Sequence, residues 1–271
     1  MTGPVWINGR QERCIDVSDR GFQYGDGLFE TFLIKDRTPQ LWQQHLARLR
    51  RGCERLAIPM PAASMLHEEA LVACSGMEAG VLKLQLTRGR GGRGYRVPQP
   101  MEPTRVISCH PLPPTLSEHR HNGVAIRLCR TRLGINPALA GIKHCNRLEQ
   151  ILARLEWNDP AVYEGLMCDS EGFLVEATMT NLFWVRDGAI LTPCVDRCGV
   201  AGVARDWVID KLRSWGERVQ VVREKPEILL QAEEVFLTNS VIGIVPVVSW
   251  QPHRHWSVGP ITRRLQAAWL S

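Results

Sequence analysis

Pro111, Pro113 and Pro114 fall within four positions of the run His110–Thr115. That density forbids both a continuous helix and a central strand. Each proline lacks the backbone donor that either ladder needs, and its ring pushes the preceding residue toward an extended conformation. The run therefore divides the 271 residues into a smaller part, 1–113, a linker, 114–123, and a larger part, 124–271. A chain of this length buries most of its apolar surface without disulfides or metals.

Both parts mix two periods. Val81–Thr87 alternates apolar and polar residues, as a half-buried strand does, and Val5–Gly9, Leu28–Ile34 and Arg105–Cys109 read as further strands. Leu46, Leu49, Cys53 and Leu56 recur at helical spacing in His45–Leu56, and a second helix is expected over Ala62–Cys74. Beyond the prolines, Val124–Leu128, Glu164–Asp169 and Phe173–Val185 read as strands, the last two forming a hairpin around Ser170-Glu171-Gly172. Glu234–Leu237 and Val245–Trp250 add two more. Asn146–Trp157 is an amphipathic helix with Leu148, Ile151, Leu152 and Leu155 on one face, and Val203–Trp215 is another helix. The mixture predicts two α/β or α+β domains.

Composition excludes several classes. With 44% hydrophobic and 23% charged residues, wholesale disorder is out. No apolar run approaches the ~18 residues of a spanning helix, and Ser240–Trp250 is interrupted by Gly243 and Pro246. Met1–Arg13 lacks a basic segment followed by an apolar one, so a cytoplasmic chain without membrane partners is expected. The net charge of +5 is mild, and no block of like charge suggests nucleic acid. Five lysines stand against 28 arginines, and the arginine fork suits small carboxylate or phosphate ligands. The nine cysteines form no paired framework or zinc spacing, so free thiols and no metal are expected.

The few lysines can be weighed one by one as carbonyl-binding amines. Lys35, Lys211 and Lys225 lie in polar or solvated contexts, and Lys83 sits on the polar side of an alternating strand, where it could line a cleft. Lys143 follows the small, apolar stretch Ala138–Ile142 and precedes a helix, a setting that suits a nucleophilic amine or a surface lysine at a helix entry. Glu176 interrupts the apolar run Phe173–Val175, either as an outward strand position or as a carboxylate aimed at a protonated heterocycle nitrogen. Gly199–Arg205 enters a helix through small residues whose N–H groups suit a phosphate, and Thr238-Asn239-Ser240 offers further donors or a turn.

Together these segments resemble the fold-type IV pyridoxal-phosphate enzymes, a two-domain α/β family that includes branched-chain and D-amino-acid aminotransferases. The resemblance covers nearly the whole chain. It rests on Ser18–Gly21, Tyr24–Thr31, His45–Leu49, Glu176–Phe183 and Gly199–Arg205, with Lys143 standing 33 residues before Glu176. Arg88–Tyr95 and Leu139–Gln150 look like the aminodeoxychorismate lyase branch, whereas Glu30 before Thr31 is shared with the aminotransferases. Cys145 stands where an apolar residue such as leucine is usual, and cysteine packs as a small hydrophobe.

The resemblance implies pyridoxal 5′-phosphate held as a Schiff base on Lys143, with Glu176 at the pyridine nitrogen. It implies Arg48, Gly202, Val203, Asn239 and Ser240 around the phosphate. It also implies Thr31 as proton donor to the leaving group and Arg93, Tyr95 and Tyr24 as contacts for a small-molecule substrate. The implied activity is cleavage of 4-amino-4-deoxychorismate to 4-aminobenzoate and pyruvate by a homodimer. A transaminase of the same fold and a vitamin-carrier protein without turnover are the alternatives.

Overall fold

Strands and helices alternate along the chain as the two periods require. The computed structural model describes residues 3–270. It contains two compact units, Met1–Leu112 with Ile142–Asn146, and Pro113–Gly141 with Arg147–Ser271. The expected mixed α/β architecture is what the chain adopts.

The first unit holds β1 (Val5–Ile7), β2 (Arg10–Gln11), α1 (Arg20–Tyr24), β3 (Gly27–Lys35), β4 (Thr38–Pro39), α2 (Trp42–Leu56), α3 (Ala63–Cys74), β5 (Ala79–Thr87) and β6 (Thr104–His110). Its six-stranded sheet runs in the order β2-β1-β6-β5-β3-β4, with all neighbours antiparallel. β3 and β5 pair over nine positions, from Gly27 opposite Thr87 to Lys35 opposite Ala79. Alternation then sorts the side chains by face. Leu28, Phe32, Ile34, Leu82, Leu84 and Leu86 are buried, as is the Leu46, Leu49, Cys53 stripe of α2, which packs on β3. Each such side chain contributes about 1.5–3 kcal/mol of burial. Phe29, Thr31, Leu33, Lys83 and Gln85 occupy the other, half-open face.

Ile142–Asn146 belongs to this unit because it lies along the start of β3. The Phe29 N–H donates to the Lys143 carbonyl (2.9 Å), and the Cys145 N–H donates to the Gly27 carbonyl (2.9 Å). His144 bridges Leu28 between these two bonds.

The second unit contains α4 (Leu116–Asn122), β7 (Val124–Leu133), α5 (Leu148–Arg154), β8 (Val162–Asp169), β9 (Leu174–Ala177), β10 (Asn181–Arg186), β11 (Ala189–Pro193), α6 (Val203–Ser214), β12 (Val219–Val222), a 3₁₀ turn (Pro226–Gln231), β13 (Glu234–Asn239), β14 (Gly243–Trp250), β15 (Arg254–His255) and α7 (Pro260–Ala268). The nine-stranded sheet runs β12-β11-β10-β13-β14-β7-β8-β9, with β15 on β14. Phe183 and Phe236 stack at its centre, their ring centroids 5.0 Å apart, among Ile190, Val208, Leu212, Ile244 and Leu265.

Three local outcomes differ from the sequence pattern. α4 occupies most of the proline-led segment 114–123. α5 buries Gln150 and Ala153, whereas Leu148, Ile151, Leu152 and Leu155 are 53–73% exposed. The strand expected over Phe173–Val185 breaks into β9 and β10. Its cause is Glu164, fully buried on β8, whose carboxylate accepts the Thr178 N–H (3.2 Å), the Met179 N–H (3.1 Å) and the Thr180 hydroxyl (3.2 Å). It also accepts from the Thr178 hydroxyl and from the Gly165 N–H. These donors gather residues 178–180 into a turn. Burial nevertheless pushes the Glu164 carboxyl above the usual range.

Candidate active site

In the first unit the reactive chemistry collects around Phe29. The Lys143 ammonium lies 4.4 Å from the centroid of that ring and the Lys83 ammonium 5.4 Å from it. The two nitrogens are therefore within about 10 Å, one Debye length at ordinary ionic strength. A cation over an aromatic face is held by the ring quadrupole, which orients both amines without consuming their donors. Thr31 stands directly opposite Lys83 across the β3–β5 ladder, and Ser108 opposite Lys83 on β6. The half-open face thus carries a hydroxyl–ammonium–hydroxyl row beside Lys143. The sequence places Lys83 on the polar side of an alternating strand, where it could line a cleft, but only the register shows that it faces Thr31 and shares the Phe29 ring with Lys143.

Arg48 is placed on the covered face of the same sheet. Its Nε and Nη2 donate to the Glu30 carboxylate at 2.9 and 2.5 Å, and His45 Nδ1 lies 2.6 Å from Glu30 Oε2. All three side chains are buried. Burial alone would raise the Glu30 carboxyl, but the Arg48 charge and the bonds from Arg48 and His45 outweigh it and hold the value down to about 2. His45 is pushed below its ordinary value by burial, with the Arg48 and Lys143 charges acting in the same direction against Glu30. It is neutral at pH 7, and Nδ1 carries the proton because an ionised carboxylate only accepts.

The two tyrosines read from the sequence come together. The Tyr24 and Tyr95 ring centroids are 5.5 Å apart at an interplanar angle of 60°. Tyr95 and Arg93 are both exposed on the glycine-rich segment between β5 and β6.

The second unit supplies a carboxylate and a helix end. Glu176 is buried rather than outward-facing, only 5% exposed, and its Oε2 accepts the Val200 N–H at 2.9 Å. Gly199 and Gly202 flank that contact. A Cβ on Gly199 would lie 2.5 Å from Val175 Cγ1 and 3.4 Å from the Glu176 carboxyl carbon. One on Gly202 would lie 2.0 Å from Asn181 Oδ1, while the Asn181 amide donates to the Val200 carbonyl at 2.9 Å. Gly202 caps α6 without a side-chain acceptor, so the helix presents backbone N–H groups at its positive end, beginning at Val203. The Thr238 hydroxyl is fully buried with no protein partner. Ser240, two residues on, is half-buried. The Asn239 side chain is committed to a turn: Oδ1 accepts from Val241 and Ile242 at 2.9 Å each, and Nδ2 donates to the Met179 carbonyl at 3.2 Å.

Pyridoxal phosphate requires a primary amine, a buried carboxylate for its ring nitrogen and N–H or O–H donors for its phosphate. Lys143, Glu176, the start of α6 and the buried Thr238 hydroxyl are of those kinds, so the residues fit the cofactor.

Residues 27–250 match the model of the amino-transferase class IV family. The chain belongs to that family. It is 37% identical over 264 residues to the aminodeoxychorismate lyase of Vibrio harveyi, covering 96% of this chain and 97% of the other. The crystal structure of 4-amino-4-deoxychorismate lyase from Pseudomonas aeruginosa superimposes with a TM-score of 0.93 at 45% identity, over 97% of each chain. The branched-chain amino acid aminotransferase of Escherichia coli shares the fold at 24% identity and a TM-score of 0.88, over 100% of this chain and 94% of that one.

Proposed function

We propose that this class IV family member is a pyridoxal-phosphate-dependent lyase that converts 4-amino-4-deoxychorismate into 4-aminobenzoate and pyruvate, a step toward folate. The observation that carries this reading is the end-to-end likeness to the Pseudomonas lyase at 45% identity. The cation and hydroxyl set beside Lys143 agree with a substrate that bears two carboxylates and loses an enol.

Bound pyridoxal phosphate supplies an electron sink for the carbon that bears the substrate amine. Lys143 would be the residue that holds the cofactor covalently, and its amine would be the base that takes the substrate's ring C4 proton. Glu176, buried beside the Val200 N–H, would keep a proton on the ring nitrogen. Arg48, anchored through Nε and Nη2 to Glu30, the amides of Gly202 and Val203, and the backbone N–H groups of Asn239 and Ser240 would hold the phosphate. As the C–O bond to the three-carbon side chain breaks, the Thr31 hydroxyl donates a proton toward the departing enol, which becomes pyruvate. Aromatisation of the ring drives this step. Arg93, Tyr95 and Tyr24 meet the substrate carboxylates, and Lys83 adds a half-buried positive charge on the Thr31 face.

Two further assignments accompany the reaction. The exposed leucine and isoleucine face of α5 supports a homodimer, since a soluble monomer rarely leaves four large apolar side chains of one helix in water. The cytoplasm is the compartment proposed, consistent with nine free cysteines. Among the described residues no helix is long and apolar enough to cross a membrane.

Incubation of the purified holoenzyme with 4-amino-4-deoxychorismate, following 4-aminobenzoate fluorescence and pyruvate, tests the activity. Stoichiometric release of both products is expected. Accumulation of pyridoxamine phosphate and a new amino acid on adding a keto acid would instead assign the chain to the aminotransferases.

A further inference from the structure

Arg20 is 4% exposed, and its guanidinium is spent on the backbone of another segment. Nη1 donates to the Gly94 carbonyl at 3.1 Å and the Arg96 carbonyl at 3.5 Å, and Nη2 to the Tyr95 carbonyl at 3.4 Å. Its Nε donates to Asp26 Oδ2 at 2.9 Å, and its carbon centre lies 5.0 Å from the Tyr24 ring centroid. Asp26 also clamps Arg88, at 2.7 and 3.0 Å, and Arg88 in turn donates to the Ala57 and Leu56 carbonyls. Burial opposes the charge on Asp26, but the bonds from Arg88 and Arg20 outweigh it and keep the carboxyl ionised.

Backbone bonds pin the near end of the same segment. The Arg20 N–H donates to the Gly89 carbonyl, Gly91 to Ser18 and Arg88 to Asp26, at 2.9, 3.0 and 3.0 Å. Four glycines within Arg88–Gly94 would leave such a stretch highly mobile if nothing held it. Only a planar fork with several fixed donors can serve consecutive carbonyls and a carboxylate together, which a lysine point charge cannot. Gly91 makes room for that fork: a Cβ there would lie 2.8 Å from Arg20 Cδ.

We propose that Arg20 is the positioning residue of the substrate loop, fixing the Gly94–Arg96 backbone so that Arg93 and Tyr95 are presented to a dicarboxylate substrate. The proposal rests on the reading that this loop meets the substrate. The loop is accordingly a pre-set platform, and binding does not have to order it.

Two variants test this in the holoenzyme. Arg20→Gln removes the fork, and Gly91→Ala displaces it without changing any charge. Each is followed by tryptic cleavage after Arg90, Arg93 and Arg96, by KM and kcat separately, and by cofactor absorbance. Loop cleavage is expected to accelerate at least about 10-fold and KM to rise about 10- to 100-fold. The cofactor absorbance should be retained and kcat should change little. Wild-type cleavage in both variants overturns the latch. Faster cleavage with unchanged KM overturns the reading that the loop meets the substrate. Should Arg20→Gln fail to fold, Gly91→Ala decides, and cofactor loss with parallel changes in kcat and KM there would refute a positioning role.

Discussion

Glu30→Gln removes the charge from the buried Glu30–His45–Arg48 group while nearly preserving its shape. In the native protein the carboxylate accepts two bonds from Arg48 and one from His45. Its value of about 2 compares with 4.5 for an unperturbed glutamate. Because the folded value lies below the unfolded one, the unfolded chain takes up the proton first as pH falls. The stabilisation is therefore complete above about pH 5 and is lost as pH drops through 4.5 toward 2. At about 1.4 kcal/mol per unit the linkage amounts to roughly 3 kcal/mol. That agrees with the ~3–5 kcal/mol typical of removing one partner from a buried ion pair. Urea denaturation of wild type and variant at pH 7 should thus differ by about 3 kcal/mol. At pH 3.5 the gap should narrow by at least about 1 kcal/mol, since the wild-type carboxylate is by then losing its advantage. A difference below about 1 kcal/mol at pH 7, or one that does not depend on pH, would refute the electrostatic account.

Thr31→Val keeps volume and strand preference but deletes the hydroxyl; pyruvate formation should slow by about 10²–10⁴-fold with cofactor absorbance unchanged. Normal pyruvate release would leave Thr31 as packing. Glu176→Gln should retain bound cofactor and lose about 10²–10³-fold in turnover; near wild-type turnover would reduce the buried carboxylate to holding the Val200 N–H. Arg93→Ala should cost roughly 1.5–3 kcal/mol of substrate binding, or about 10- to 150-fold in kcat/KM. Unchanged efficiency would shift the carboxylate contact to Lys83.

Short-range periodicity was legible because it depends on neighbours. The alternation in Val81–Thr87 correctly puts Leu82, Leu84 and Leu86 inside, and the Leu46–Leu49–Cys53 stripe lies on the buried side of α2. What covers an apolar face is a different matter. Leu148, Ile151, Leu152 and Leu155 form the expected stripe on α5, yet it faces outward and smaller residues point to the core. Registers across the sheet were equally hidden. Nothing in the sequence sets Lys83 against Thr31 or brings both lysines to Phe29. Glu164 reads from the sequence as an ordinary strand start, and only the five donors around its buried carboxylate reveal why the following strand breaks. Motif recognition carried the rest, since Glu176 could be separated from an outward strand position only by its burial.

Ile142–Asn146 is a borrowed piece: five residues from the middle of the second unit's sequence complete the first unit's edge of β3. This interlacing ties the chain into one heritable whole. A gene cut after residue 112 would yield an N-terminal product with a sheet but without Lys143, the proposed attachment lysine. Its C-terminal counterpart would carry the lysine with no strand to lie along. A cut between the units would therefore separate Ile142–Asn146 from the β3 backbone that it pairs with.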